Sequence, residues 1–268
     1  MPALYRYSGS AWVQVPNGTT VSRYTGSAWS NPTAIKYWDG DSWETVWNKS
    51  DPVTLTYTIS TSQGWRESTS WRTDNYVRFG AFKDTASPFT FFGDNLTVLE
   101  FSGSASGTST GGVSVSGTID AVMADRPYVS SVKLQMTRTS GGASTFSGST
   151  SETLKFGQLN KANGTSMSTY NAGDSVLTTN MQTIPASDLQ GWSRLSSQTK
   201  QFTFGGSASA LTGLITHGRT KQFWLSELSS GWVASGGSGS TSDIYTVCAG
   251  SADSSGKPTL EITFDYVE

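Results

Sequence analysis

Val53-Thr54-Leu55-Thr56-Tyr57-Thr58-Ile59 alternates without a break, with Val53, Leu55, Tyr57 and Ile59 on one face and three threonines on the other. A period of two over seven residues marks a strand with one buried face, and β-branched and aromatic side chains suit a pleated surface. Similar runs follow at 76–82, 96–101, 113–119, 129–138, 153–156, 201–204, 222–225, 244–248 and 260–266. Turn-rich stretches separate them, notably 102–112, 140–151 and 234–242, and one short helix is predicted over Ala186–Gly191. About ten strands in about 215 residues predict a large antiparallel β-sandwich, jelly-roll-like, whose Gly/Ser-rich connectors are loops.

The chain before this sandwich has a different character. Tyr7-Ser8-Gly9-Ser10-Ala11-Trp12 recurs as Tyr24-Thr25-Gly26-Ser27-Ala28-Trp29 and as Trp38-Asp39-Gly40-Asp41-Ser42-Trp43, the last tryptophan recurring after 17 and then 14 residues. Each copy reads as a short β-hairpin, with glycine supplying the positive φ of the turn and the flanking aromatics meeting across the strands. A lone hairpin is marginal in water, so the three must pack together or against other chains. Tyr7, Trp12, Tyr24, Trp29, Trp38 and Trp43 are therefore candidate packing or assembly residues, with glycan binding and a subunit interface as further roles. Asn48-Lys49-Ser50-Asp51-Pro52, polar and ending in proline, is the best boundary, giving a hairpin region over 1–50 and a sandwich over 51–268.

Composition narrows the function classes. Of 268 residues, 44 are Ser, 36 Thr and 29 Gly, about 40% of the chain, yet 32 aromatics argue for packed cores instead of disorder. The net charge of −2 lacks the basic stripe of a nucleic-acid-binding domain, and no apolar run is long enough to span a membrane. Residues 1–7 do not read as a signal peptide, and the single cysteine, Cys248, makes no internal disulfide; both predict folding in a reducing cytoplasm, with Cys248 as a small buried side chain.

Enzymatic chemistry finds little support. The one histidine, His217, sits in Leu214-Ile215-Thr216-His217-Gly218-Arg219, read as a turn, and no serine lies in a strand-turn-helix elbow. Cysteine and histidine are too few for a zinc site, and phosphate-loop and dinucleotide fingerprints are missing. Asp39-Gly40-Asp41 reads as a hairpin turn and not as calcium ligands. Glu67, Asp74, Glu100, Asp120 and Glu152 lie near strands or their ends and read as solvated carboxylates, although a glycosidase needs only two suitably spaced acids. The expectation is a non-enzymatic chain with no cofactor and no metal.

Flat aromatic faces on a β surface suit the CH-rich faces of sugars. Trp65, Trp71, Trp192 and Trp232 sit beside Gly, Ser or Arg outside clear alternation, and are the candidate glycan-binding residues; closing the ends of the sandwich is their structural alternative.

The hairpin repeats resemble repeats of tail and fibre proteins from tailed phages, especially phages of Gram-positive actinobacteria. The larger region resembles β-sandwich domains at the ends of phage minor tail proteins and in some secreted bacterial wall proteins. Arg126-Pro127-Tyr128-Val129-Ser130-Ser131-Val132-Lys133-Leu134-Gln135-Met136 is similar to the start of a core strand there, and Lys257-Pro258-Thr259-Leu260-Glu261-Ile262-Thr263-Phe264-Asp265-Tyr266 to the closing one. The resemblance implies a virion protein, a minor tail or fibre component, with other tail proteins as partners, a homotrimeric state and a host-surface glycan as target. A carbohydrate-binding module of a wall protein and a capsid decoration or head fibre are the alternatives. It carries over no functional residue.

Overall fold

The computed structural model describes residues 4–8, 10–15, 17, 21–24, 29–30, 32, 34–66, 71–73, 77–83, 91–140, 154–158, 180–189, 191–192, 197–216, 222–226 and 246–266. Six short strands come first: β1 (Tyr5–Tyr7), β2 (Trp12–Gln14), β3 (Arg23–Tyr24), β4 (Trp29–Ser30), β5 (Ala34–Trp38) and β6 (Trp43–Asn48). They pair as three separate two-stranded hairpins. Then follow β7 (Val53–Thr58), β8 (Thr61–Arg66), β9 (Trp71–Thr73), β10 (Val77–Lys83), β11 (Phe91–Glu100), β12 (Ala105–Thr108), β13 (Ser114–Gly117), α1 (Ile119–Asp125) and β14 (Tyr128–Ser140). The chain continues through β15 (Leu154–Gln158), β16 (Gln182–Ile184), α2 (Ala186–Leu189), β17 (Thr199–Phe204), α3 (Ala208–Thr216), β18 (Gln222–Ser226), β19 (Thr246–Cys248) and β20 (Thr259–Asp265). The fold is all-β and antiparallel.

One layer runs β17–β14–β20–β7 and the other β16–β15–β18–β11–β8–β9. β10 pairs with β11, β19 pairs with β14, and β10 pairs with β19, so both layers belong to one hydrogen-bonded network of 12 strands. The alternation at Val53 decides which face turns inward: Val53, Leu55 and Tyr57 are buried and the intervening threonines are exposed. Leu260, Ile262 and Phe264 of β20 and Val132, Leu134 and Met136 of β14 extend that face. Phe156 of β15 stacks on Phe223 at 5.2 Å within its own layer and on Phe204 of the facing layer at 4.9 Å. Burying each large apolar side chain contributes about 1.5–3 kcal/mol, so this shared core is the main stabiliser. On the other face of the second layer Trp224 lies over Gly157, where a Cβ would sit 2.6 Å from the indole; no larger residue fits there.

Several local readings change. Ile119 opens helix α1 instead of ending a strand, because the Thr118 side chain accepts a hydrogen bond from the Ala121 N–H and caps the first turn. Leu214–Thr216, read as part of a turn, is the last turn of α3, whose Leu211, Leu214 and Ile215 are buried; His217 lies outside the described residues. β8, β9 and β16 have no counterpart among the expected strands, and β12 falls within the stretch expected as turn. Cys248 is buried, as expected.

The expected boundary is only partly a linker, since Ser50 and Asp51 are held by the sandwich. Asp51 is fully buried; its Oδ2 lies 3.1 Å from the Arg126 guanidinium, which also donates to the Asp51 carbonyl. Its Oδ1 accepts from the Gly111 N–H at 2.6 Å and from the Thr110 hydroxyl at 3.2 Å. Asp265, at the end of β20, accepts from the Asp51 N–H and the Ser50 hydroxyl, and the Arg126 guanidinium lies 4.3 Å from the Tyr266 ring centroid. One ion pair thus joins the start of the sandwich, the β12–β13 turn, the end of α1 and the end of β20.

Removing one member of a buried pair strands the other, so Asp51→Ala is expected to cost about 3–5 kcal/mol in urea unfolding. Tyr57→Phe should move the other way, gaining about 1 kcal/mol, because the Tyr57 hydroxyl is buried with no hydrogen-bond partner among the described residues. A neutral Asp51→Ala or a strongly destabilised Tyr57→Phe would contradict these assignments.

Candidate functional site

The hairpins bring their aromatics together in the predicted way. Tyr7 faces Trp12, Tyr24 faces Trp29 and Trp38 faces Trp43 as direct cross-strand partners. The Tyr7 and Trp12 rings lie 5.4 Å apart at 55°, and those of Trp38 and Trp43 5.5 Å apart at 58°. The same tilted pair is thus built twice from different residues. It is also uncovered: Tyr7 is 59% exposed, Trp12 70%, Trp38 48% and Trp43 63%. Tyr5, Tyr24 and Tyr37 are exposed as well. A ring pair contributes about 0.5–1.5 kcal/mol beyond its buried area, enough to bias a hairpin but not to close a core.

The turns beneath the first and third pairs are pinned by a side chain that the repeat pattern leaves unspecified. The Ser8 hydroxyl donates to the Ala11 carbonyl at 2.9 Å and accepts from the Ala11 N–H at 3.2 Å. Asp39 occupies the same place in the third copy, where its Oδ1 accepts from the N–H groups of Asp41 and Ser42, each at 2.8 Å, while Gly40 takes φ +109°. Thr25, the equivalent in the second copy, lies outside the described residues. The position following the first aromatic is therefore Ser, Thr or Asp in all three copies, a turn-forming oxygen that the sequence already carried. The donated hydrogen bonds, Ser42 first and Asp41 second, hold the Asp39 carboxyl below its ordinary 3.8.

The four candidate glycan-binding tryptophans part company. Trp65 in β8 and Trp71 in β9 are direct partners across the β8–β9 hairpin, at the edge of the second layer. Trp192 is a core residue and not a surface platform: it is 0% exposed, its Nε1–H donates to the Gln198 carbonyl at 2.7 Å, and its ring meets Phe202 edge-on. Its own carbonyl accepts from the buried Arg138 at 2.6 Å. For Trp192 the structural alternative therefore holds, and the Gly-Trp step marks entry into the core. Trp232 lies outside the described residues, as do Glu67, Asp74 and Glu152.

Little on the described surface suggests chemistry. Glu100 accepts from Gln222 at 3.1 Å, and Asp120 sits in the first turn of α1. Burial pushes the Cys248 thiol well above its ordinary 9.0, outweighing the opposite pull of Arg138, so it stays neutral. Among the described residues no group of three or more His, Cys, Asp or Glu could hold a metal, and no helix is long and apolar enough to cross a membrane. A scan against protein-family models gives no match, and neither does a search of curated proteins.

The third hairpin depends on ionised Asp39. Because its folded pKa is depressed, its contribution is present at neutral pH and lost as pH falls through that lowered value. The far-UV exciton signal of the Trp38–Trp43 pair, isolated as the difference from Trp43→Leu, should vanish in Asp39→Ala at neutral pH while the sandwich melts unchanged. A full exciton signal in Asp39→Ala would refute the pinning role.

Proposed function

We propose that this chain is a non-enzymatic virion protein of a tailed phage, a minor tail or fibre component. Residues 1–50 form its assembly region, and the sandwich projects toward the host to contact a surface glycan. The observation that carries the reading is the division of labour between the two parts. The sandwich closes a core of its own, whereas the first and third of the repeated hairpins hold tilted aromatic pairs open to solvent. Repetition of one uncovered pair is economical for a surface that meets repeated partners, as in a particle. The sequence resemblance to tail and fibre repeats points the same way. For the glycan contact, the β8–β9 hairpin is the best candidate because its register aligns Trp65 with Trp71. Two aromatic residues directly opposite on an edge hairpin suit a sugar chain lying across the strands.

The reading is tested with the full chain on an array of bacterial wall polysaccharides. Binding to a wall glycan is expected, with Trp65→Ala and Trp71→Ala each weakening it by about tenfold, the equivalent of 1.4 kcal/mol, at an unchanged melting temperature. Release of reducing sugar from the bound glycan would overturn the non-enzymatic reading. Early melting of both variants would make these tryptophans core residues, and the glycan site would be lost from this hairpin.

A further inference from the structure

The hairpins differ in charge as consistently as they agree in shape. The first hairpin carries Arg6 and the second Arg23, each a formal +1 with no acid, whereas the third sets Lys36 against Asp39, Asp41 and Glu44, a formal −2. Arg6, Asp39 and Asp41 are exposed. Within one chain the first and third hairpins leave each other's rings uncovered. We infer that the acidic third hairpin of one copy seats against the basic first hairpin of a second copy, so that Trp38 and Trp43 of one cover Tyr7 and Trp12 of the other.

Two further observations support a second copy as the occupant. The area fits a ring: the six exposed aromatics of the first and third hairpins (Tyr5, Tyr7, Trp12, Tyr37, Trp38 and Trp43), each about half uncovered and each with about 150–250 Å² to bury, offer about 500–900 Å² on each copy, half of it at each of two contacts. A standard interface takes about 800 Å² from each partner, which a copy approaches only when both its hairpins are engaged, as in a closed ring. The charges also fit a directed contact, since first-to-first pairing would bring Arg6 against Arg6 and third-to-third pairing would oppose three acids with three acids. A first-to-third contact is head-to-tail, and such contacts close into rings when the rotation permits. The repeat therefore specifies a cyclic oligomer by shape and its polarity by charge.

This inference rests on the assembly role proposed for residues 1–50, and its test separates the two. Self-association of the full chain is measured by sedimentation equilibrium for the wild type, Arg6→Glu, Asp41→Arg and the double variant, with Trp12→Ala/Trp43→Ala as the aromatic control. The melting temperature of each reports on the sandwich. Each single reversal is expected to weaken association by roughly threefold to tenfold, more strongly at low salt, and the double reversal to restore it. The aromatic control should be monomeric with an unchanged melting temperature. Association lost in the aromatic control but indifferent to both reversals would overturn the charge-directed pairing and leave the assembly role standing. A wild type that stays monomeric at every concentration would overturn both.

Discussion

Asp51 and Arg126 meet in an interior that excludes water from both, and several kcal/mol of desolvation per ion must be offset by their mutual contact and by the groups around them. Gly111 and Thr110 supply donors to the carboxylate, and Tyr266 offers its ring face to the guanidinium. Asp265 takes the backbone N–H of Asp51 and so anchors the same junction from the last strand. The consequence is topological. Strands β7 and β20 can pair in register over Val53–Thr58 only if the chain enters and leaves at one corner, and this network fixes that corner. The hairpin region enters the sandwich there, through a junction held at Ser50 and Asp51.

The two halves of the molecule then obey different energetics. In the sandwich, the ring stack Phe204–Phe156–Phe223 and the alternating faces of β7, β14 and β20 bury their apolar area within the chain. In the hairpins, the turn is well made by Ser8 or Asp39, but the rings it brings together stay in water. Two-stranded hairpins with exposed aromatics are stable only when something covers them. The structure thus separates a domain that buries its own core from a repeat whose aromatic pairs stay exposed, which is why we propose that association completes it.

Much of this was legible because the signals were local. The period of two in Val53–Ile59 survives as a strand with alternating burial, and the aromatic-to-tryptophan spacing of the repeat gives the cross-strand pairs directly. Non-local features were not. Arg126 reads as the polar start of a strand, yet its partner Asp51 lies 75 residues away. Trp192 beside a glycine reads either as a glycan platform or as a structural plug, and only its contacts with Phe202 and Arg138 from other strands decide for the second. Helix α3 was obscured by the glycines around it, although Leu211, Leu214 and Ile215 carry helical spacing. The side chains that pin the first and third turns, Ser8 and Asp39, stand at a position that reads as variable in the repeat.

Amide hydrogen exchange of the full chain at low and high protein concentration tests the central separation most directly. In dilute solution the amides of β7, β14 and β20 should exchange slowly and those of residues 5–48 fast; on concentrating the sample, protection should rise across residues 5–48 and stay constant in the sandwich. Hairpin amides as protected as the sandwich in the dilute monomer would contradict the account, because the hairpins would then be complete without a partner.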